Sequence, residues 1–142
     1  MGYYVDYSIE ASFKVEDAPK VLAAINALHT PERLAMASGC RYKEGKCVEK
    51  WYSWVDNPPQ GGWTDVETAI GAWRFNTNLC EELYWLGFDG SKCGDEEFLF
   101  EAIAPWLEGE IYARGEDGYE WGYRFKDGCM THLQCEKIWT EV

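Results

Sequence analysis

The sequence predicts an α+β fold: an antiparallel sheet with two or three helices packed mainly on one face, ending in a C-terminal three-stranded meander. Three observations predict it. Residues 3 to 15 alternate apolar and polar with period two. Segments beginning at Ala18 and Asp95 switch to helical spacing. Residues 109 to 138 return to short strands between acidic-Gly turns. A chain of 142 residues sits near the usual domain size, so a single domain, 1–142, with one core is expected.

In the first segment Tyr3, Val5, Tyr7, Ile9, Ala11, Phe13 and Val15 share one face, and Asp6, Ser8, Glu10, Ser12 and Lys14 the other. Period two over this length means a strand buried on one side, expected to be central in the sheet or long. Ala18, Val21, Leu22, Ile25 and Leu28 then follow helical spacing, with Glu16 and Asp17 at the positive end of the helix dipole and Pro19 in the first turn. Thr30-Pro31 caps a short second helix, with Gly39 as its stop.

Lys43-Glu44-Gly45-Lys46 reads as a hairpin turn between Cys40–Tyr42 and a strand Val48–Val55, in which Trp51 points one way and Tyr52 and Trp54 the other. The stretch DNPPQGG, 56–62, is a loop. Thr64 through Glu67 reads as a capping box ahead of a helix with Val66, Ile70 and Trp73 on one face. A strand Leu83–Phe88 closes at Asp89-Gly90. The helix opened by Asp95-Glu96-Glu97 is expected to bury Leu99, Ala102, Ile103 and Trp106, and Pro105 ends it. Strands near 109–114, 119–126 and 129–138 complete the chain, with Trp121, Tyr123 and Phe125 on the inward face of the middle one and Glu120, Arg124 and Lys126 outward.

Composition limits function. Thirteen basic against 25 acidic residues give a net charge of −12. That field repels nucleic acid and anionic lipid, both of which bind through Lys and Arg, so direct nucleic-acid binding and membrane binding are not expected. A protein that itself grips nucleic acid would be attracted, which makes such a protein a candidate partner. The same acidity also serves simply to keep an aromatic-rich chain in solution. The chain opens directly into a strand pattern and no apolar run is long enough to span a bilayer, so a cytoplasmic location is expected. With that, all six cysteines are expected to be reduced and mostly buried.

No motif defines a catalytic or cofactor site, and no catalytic residue, cofactor or metal ligand is assigned. Cys129, His132 and Cys135 have zinc-like spacing, but on a strand His132 points away from the two thiols. The segment from Asp89 has an EF-hand cadence that fails at Cys93 and Phe100, where oxygen ligands are required. What remains is aromatic surface. Eight Trp residues exceed what one small core consumes, and aromatics on a charged surface anchor interfaces and stack flat ligands. The candidate binding residues are Tyr52, Trp54, Trp63 and Trp139, with the acidic turn residues Glu116 and Asp117.

The segment GDEEFLFEAIAPWLEGEIYARGEDGYEWGYRFKDG, Gly94 to Gly128, resembles the C-terminal part of a group of small uncharacterised phage and prophage proteins, and ETAIGAWRF, Glu67 to Phe75, fits the same group. The likeness spans about half the chain. It implies a phage-type accessory protein and no particular chemistry. The leading expectation is therefore a non-enzymatic protein that binds a host protein, such as a defence or nucleic-acid-handling factor, and inhibits or redirects it. The alternatives are a nucleotide-like ligand binder with an aromatic pocket, and a small enzyme.

Overall fold

The structure, a computed structural model, describes residues 3–88, 90 and 92–142. Strand β1 (Tyr3–Lys14) is followed by helices α1 (Ala18–Ala27) and α2 (Pro31–Leu34). A hairpin of β2 (Gly39–Lys43) and β3 (Lys46–Trp51) comes next, then α3 (Val66–Ala72), β4 (Phe75–Cys80), β5 (Leu83–Phe88) and the two-residue β6 (Lys92–Cys93). Helix α4 (Glu96–Ile103) precedes the meander β7 (Glu108–Gly115), β8 (Glu120–Lys126) and β9 (Cys129–Gln134). The main sheet runs β4-β5-β1-β7-β8-β9, antiparallel throughout, with β6 also paired to β1. The α+β expectation is met, and β1 is both long and internal to the sheet.

Strand β1 holds two kinds of neighbour. Along one edge it pairs with β7 from Val5↔Gly115 to Ser12↔Glu108. Along the other, β5 takes its C-terminal end at Ser12↔Trp85 and β6 its N-terminal end at Tyr3↔Cys93. The inward row of β1 packs with Val21 and Ile25 of α1, Ile70 of α3, and Leu99, Phe100 and Ile103 of α4 in one core cluster. Of the opposite row, Asp6, Ser8, Glu10 and Lys14 are exposed, and Ser12, where β5 and β7 both pair, is buried. A sheet covered on one face and wet on the other accounts for the strict alternation.

Several boundaries move. Strand β3 stops at Trp51, because the chain turns into the loop where Trp54 adopts a left-handed φ of 65°. Gly39 opens β2 rather than stopping α2: a Cβ there would meet the Trp51 carbonyl across the hairpin. The cap of α3 is Asp65, whose Oδ1 accepts from the Thr68 amide at 2.8 Å, one residue beyond the expected Thr64. In α4 Leu99 and Ile103 are fully buried as expected and Phe100 is buried with them, while Ala102 and, in the turn after the helix, Trp106 are only half-buried. Asp89 and Ser91, where the EF-hand cadence and a turn fell, lie outside the described residues.

The cysteines depart most from expectation. Cys40 and Cys47 form a disulfide across the β2–β3 hairpin, with Cα atoms 5.7 Å apart. Its two-residue turn, Glu44-Gly45, folds the strands back tightly enough to bring the pair together. Cys93 is buried, whereas Cys80, Cys129 and Cys135 are exposed at strand ends or on the open side of the sheet.

Candidate functional site

The three acids that open α4 do three different jobs, because a helical start rotates each successive side chain by about 100°. Asp95 turns toward the hairpin, and its Oδ2 accepts from the backbone amides of Ser38 at 3.1 Å and Ser53 at 2.8 Å. This carboxylate ties the base of β2 to the segment after β3. Glu96 turns inward and is 8% exposed. Tyr7 donates to its Oε1 at 2.5 Å, while its Oε2 is buried without a partner among the described residues. Beside it the Cys93 thiol is pushed up to about 12, first by burial and then by the Glu96 charge. Burial and Glu96 also hold the Tyr7 phenol well above its ordinary range.

Glu97 turns outward. Its Oε1 accepts from the Tyr123 hydroxyl at 3.0 Å and lies 3.0 Å from His132 Nε2, so one carboxylate joins α4 to the inner faces of β8 and β9. Burial, then Glu97, raises the Tyr123 phenol. These groups form one side of an open groove of about 580 Å³ at the end of the sheet. Its aromatic wall is Tyr119 and Trp121, whose rings stack 5.5 Å apart at 25°. Tyr3 closes the rim. It lies against Gly115, where any Cβ would collide with its ring, and donates to Asp117 Oδ1 at 2.5 Å. That bond raises the exposed Tyr3 phenol to about 12 and lowers the Asp117 carboxyl, which also accepts from the Tyr119 amide at 3.0 Å.

A second aromatic cluster is closed. His29 sits among Trp51, Tyr52, Trp63 and Trp73 with ring centroids 4.8 to 6.0 Å from its own. Both its ring nitrogens and the Trp73 Nε1 are buried without partners among the described residues. Burial lowers the His29 pKa to about 4, so the ring is neutral. A third arrangement involves Lys92, whose ammonium lies 5.0 Å from the Tyr4 ring and 5.6 Å from the Trp54 ring.

The residues picked from sequence scatter across these regions. Tyr52 and Trp63 are buried, at 1% and 5% exposed, and belong to the core around His29. Tyr52 donates to the Leu28 carbonyl at 2.7 Å and Trp63 exchanges hydrogen bonds with Asn26, so neither offers a binding surface. Trp54 is exposed beside Lys92, and Trp139 is almost fully exposed beyond β9. None of the six lines the groove: Asp117 comes nearest, as the acceptor that holds the rim residue Tyr3, with Glu116 exposed next to it. The groove's own residues, Glu97, Tyr119, Tyr123 and His132, are not among the binding candidates of the sequence, where Glu97 reads as a helix-start acid, Tyr123 as core and His132 as part of a zinc-like spacing. Their sequence signal was the run of aromatics on alternate positions facing an acidic helix start.

Chemically, His132 held on a carboxylate has the pairing used in acid–base catalysis. The groove lining contains no Ser, Cys or Lys beside it among the described residues, and it also contains no Arg. What the lining offers is flat aromatic faces next to negative charge. Among the described residues no helix is long and apolar enough to cross a membrane, and no group of three His, Cys, Asp or Glu could hold a metal ion. No family model, curated protein or solved structure matches this chain.

Proposed function

We propose that the chain is a non-enzymatic, phage-type accessory protein that binds a basic host protein in the cytoplasm, a defence or nucleic-acid-handling factor, and inhibits or redirects it. The observation that carries this reading is an aromatic groove lined by Glu97, its rim residue Tyr3 held by Asp117, in a protein of net charge −12. A long-range field of that sign speeds the encounter with a basic surface, and aromatic side chains at one point then slow its release. A partner that normally holds nucleic acid would be occluded by the same charge that attracts it.

The test is recovery from bacterial lysate with and without infection. A basic protein should come down stoichiometrically and be released by raised salt and by duplex DNA. Recovery of no stoichiometric partner under either condition would contradict the proposal.

The stack of Tyr119 on Trp121 favours a second reading, in which the groove sequesters a flat, nucleobase-like ligand. A ligand held at a hundred times its Kd adds about 2.7 kcal/mol to stability. A thermal-shift series over nucleosides and nucleotides therefore checks it, and a series with no shift leaves it without support.

A further inference from the structure

We propose that the groove between Glu97 and the Tyr119–Trp121 stack is a receptor for one arginine side chain of the partner. This rests on reading the chain as a binder of a basic protein and names the chemistry of the contact.

Four features select that occupant. The wall is a pair of stacked rings at 25°, and a planar guanidinium lies flat on such a face where a compact ammonium does not. The acceptor is anionic: the Glu97 side chain in the lining is about half exposed, while Asp117, outside the lining, holds the rim residue Tyr3 in place. Tyr123 and His132 both occupy Glu97 Oε1, which fixes the carboxylate in place before anything binds. An acceptor held in this way loses little freedom on binding, which favours affinity. Finally, no Lys or Arg lines the groove among the described residues, and its one histidine, His132, is already held on Glu97, so a phosphorylated ligand would meet a carboxylate with no free cation to offset it.

The protein already contains a smaller version of this contact. Lys92 lies between Tyr4 and Trp54 at 5.0 and 5.6 Å, so one of its own cations is held by two aromatic faces. At the groove the aromatic faces are present, and no cation of the described chain stands over them. The exposed Tyr119, 64% accessible, fits a surface that a partner completes.

The experiment is an amide chemical-shift titration of the intact protein with three capped tripeptides, Gly-Arg-Gly, Gly-citrulline-Gly and Gly-Lys-Gly, and with AMP. The expected result is shifts concentrated at residues 119–123 and 132–134 for the arginine peptide, with an affinity at least tenfold above the citrulline peptide and several-fold above the lysine peptide. Glu97→Gln should weaken the arginine peptide about tenfold while the rest of the spectrum stays put. Trp121→Phe, which keeps a ring and the fold, should weaken it less.

Equal response to arginine and citrulline would mean stacking alone and would overturn the proposal. So would tighter binding of AMP, or shifts centred elsewhere. Concentration-dependent self-association abolished by Glu97→Gln would make a second copy the occupant and overturn it too. Deca-arginine separates this inference from the reading beneath it. If it binds with strong salt dependence but does not shift the groove, the acidic surface still recruits basic partners and only the groove assignment falls. If deca-arginine does not bind at all, both fall.

Discussion

The chain has two histidines, and each sits in an aromatic neighbourhood, yet the neighbourhoods differ in every respect that matters. Around His29 four rings converge, the imidazole nitrogens are buried without partners among the described residues, and Trp63 and Trp73 are almost fully buried. Around His132 the ring is exposed, a carboxylate holds its Nε2, and Tyr119 and Trp121 stack at the surface. Aromatic content alone therefore says nothing about role. A sealed cluster contributes area removed from water, whereas an open one beside fixed charge stays accessible from solvent.

The comparison is broken most severely by removing a ring from the closed side. Trp73→Ala deletes a side chain 1% exposed and should cost about 3–5 kcal/mol, enough to unfold a domain of ordinary stability. A denaturant melt reads it, and a variant that melts like the parent would mean the cluster is loosely packed. On the open side, Trp121→Ala removes a half-buried ring and should cost about 1–3 kcal/mol, leaving a folded protein with its groove lost. Melts alongside peptide binding check both halves of that statement.

The His29 cluster also makes a pH prediction. In the unfolded chain this histidine titrates at 6.5, and in the folded protein at about 4, because burial disfavours the charged ring. Between those values the unfolded state binds more protons, so stability falls as pH drops from about 6.5 to about 4, and the group has no effect above that window. His29→Leu should flatten this part of the Tm-versus-pH curve. An unchanged slope would show that the ring is more solvated than its sealed nitrogens imply. The smallest effect belongs to Arg124→Ala, whose exposed pair with Glu110 at 3.2 Å should contribute under about 1 kcal/mol.

How much of this could be read from residues alone follows the same division. The alternation of β1 is a local signal enforced by a one-sided core, and the meander announced itself through Asp117-Gly118 and Asp127-Gly128. Strand β4 escaped because its turn to β5 is Glu81-Glu82, two non-glycine residues at φ 49° and 66°, with no turn residue to mark it. The roles of Asp95, Glu96 and Glu97 were equally invisible. Three acids in a row look alike until the helix rotates them and β1, β8 and β9 supply Tyr7, Tyr123 and His132 from distant parts of the chain. Tyr52 and Trp63 show the converse: neither the second face of an expected strand nor a loop position reveals that the segment folds over a core.

The contrast between a sealed and an open histidine is tested most directly by carbethoxylation with diethyl pyrocarbonate, read residue by residue by mass spectrometry at neutral pH. His132, with its side chain exposed at the groove, should react readily, and deca-arginine should slow it severalfold. His29, with both ring nitrogens buried, should stay unmodified until the protein is unfolded. Modification of His29 in the folded protein at the rate of His132 would contradict the account, because the two aromatic neighbourhoods would then be equally open.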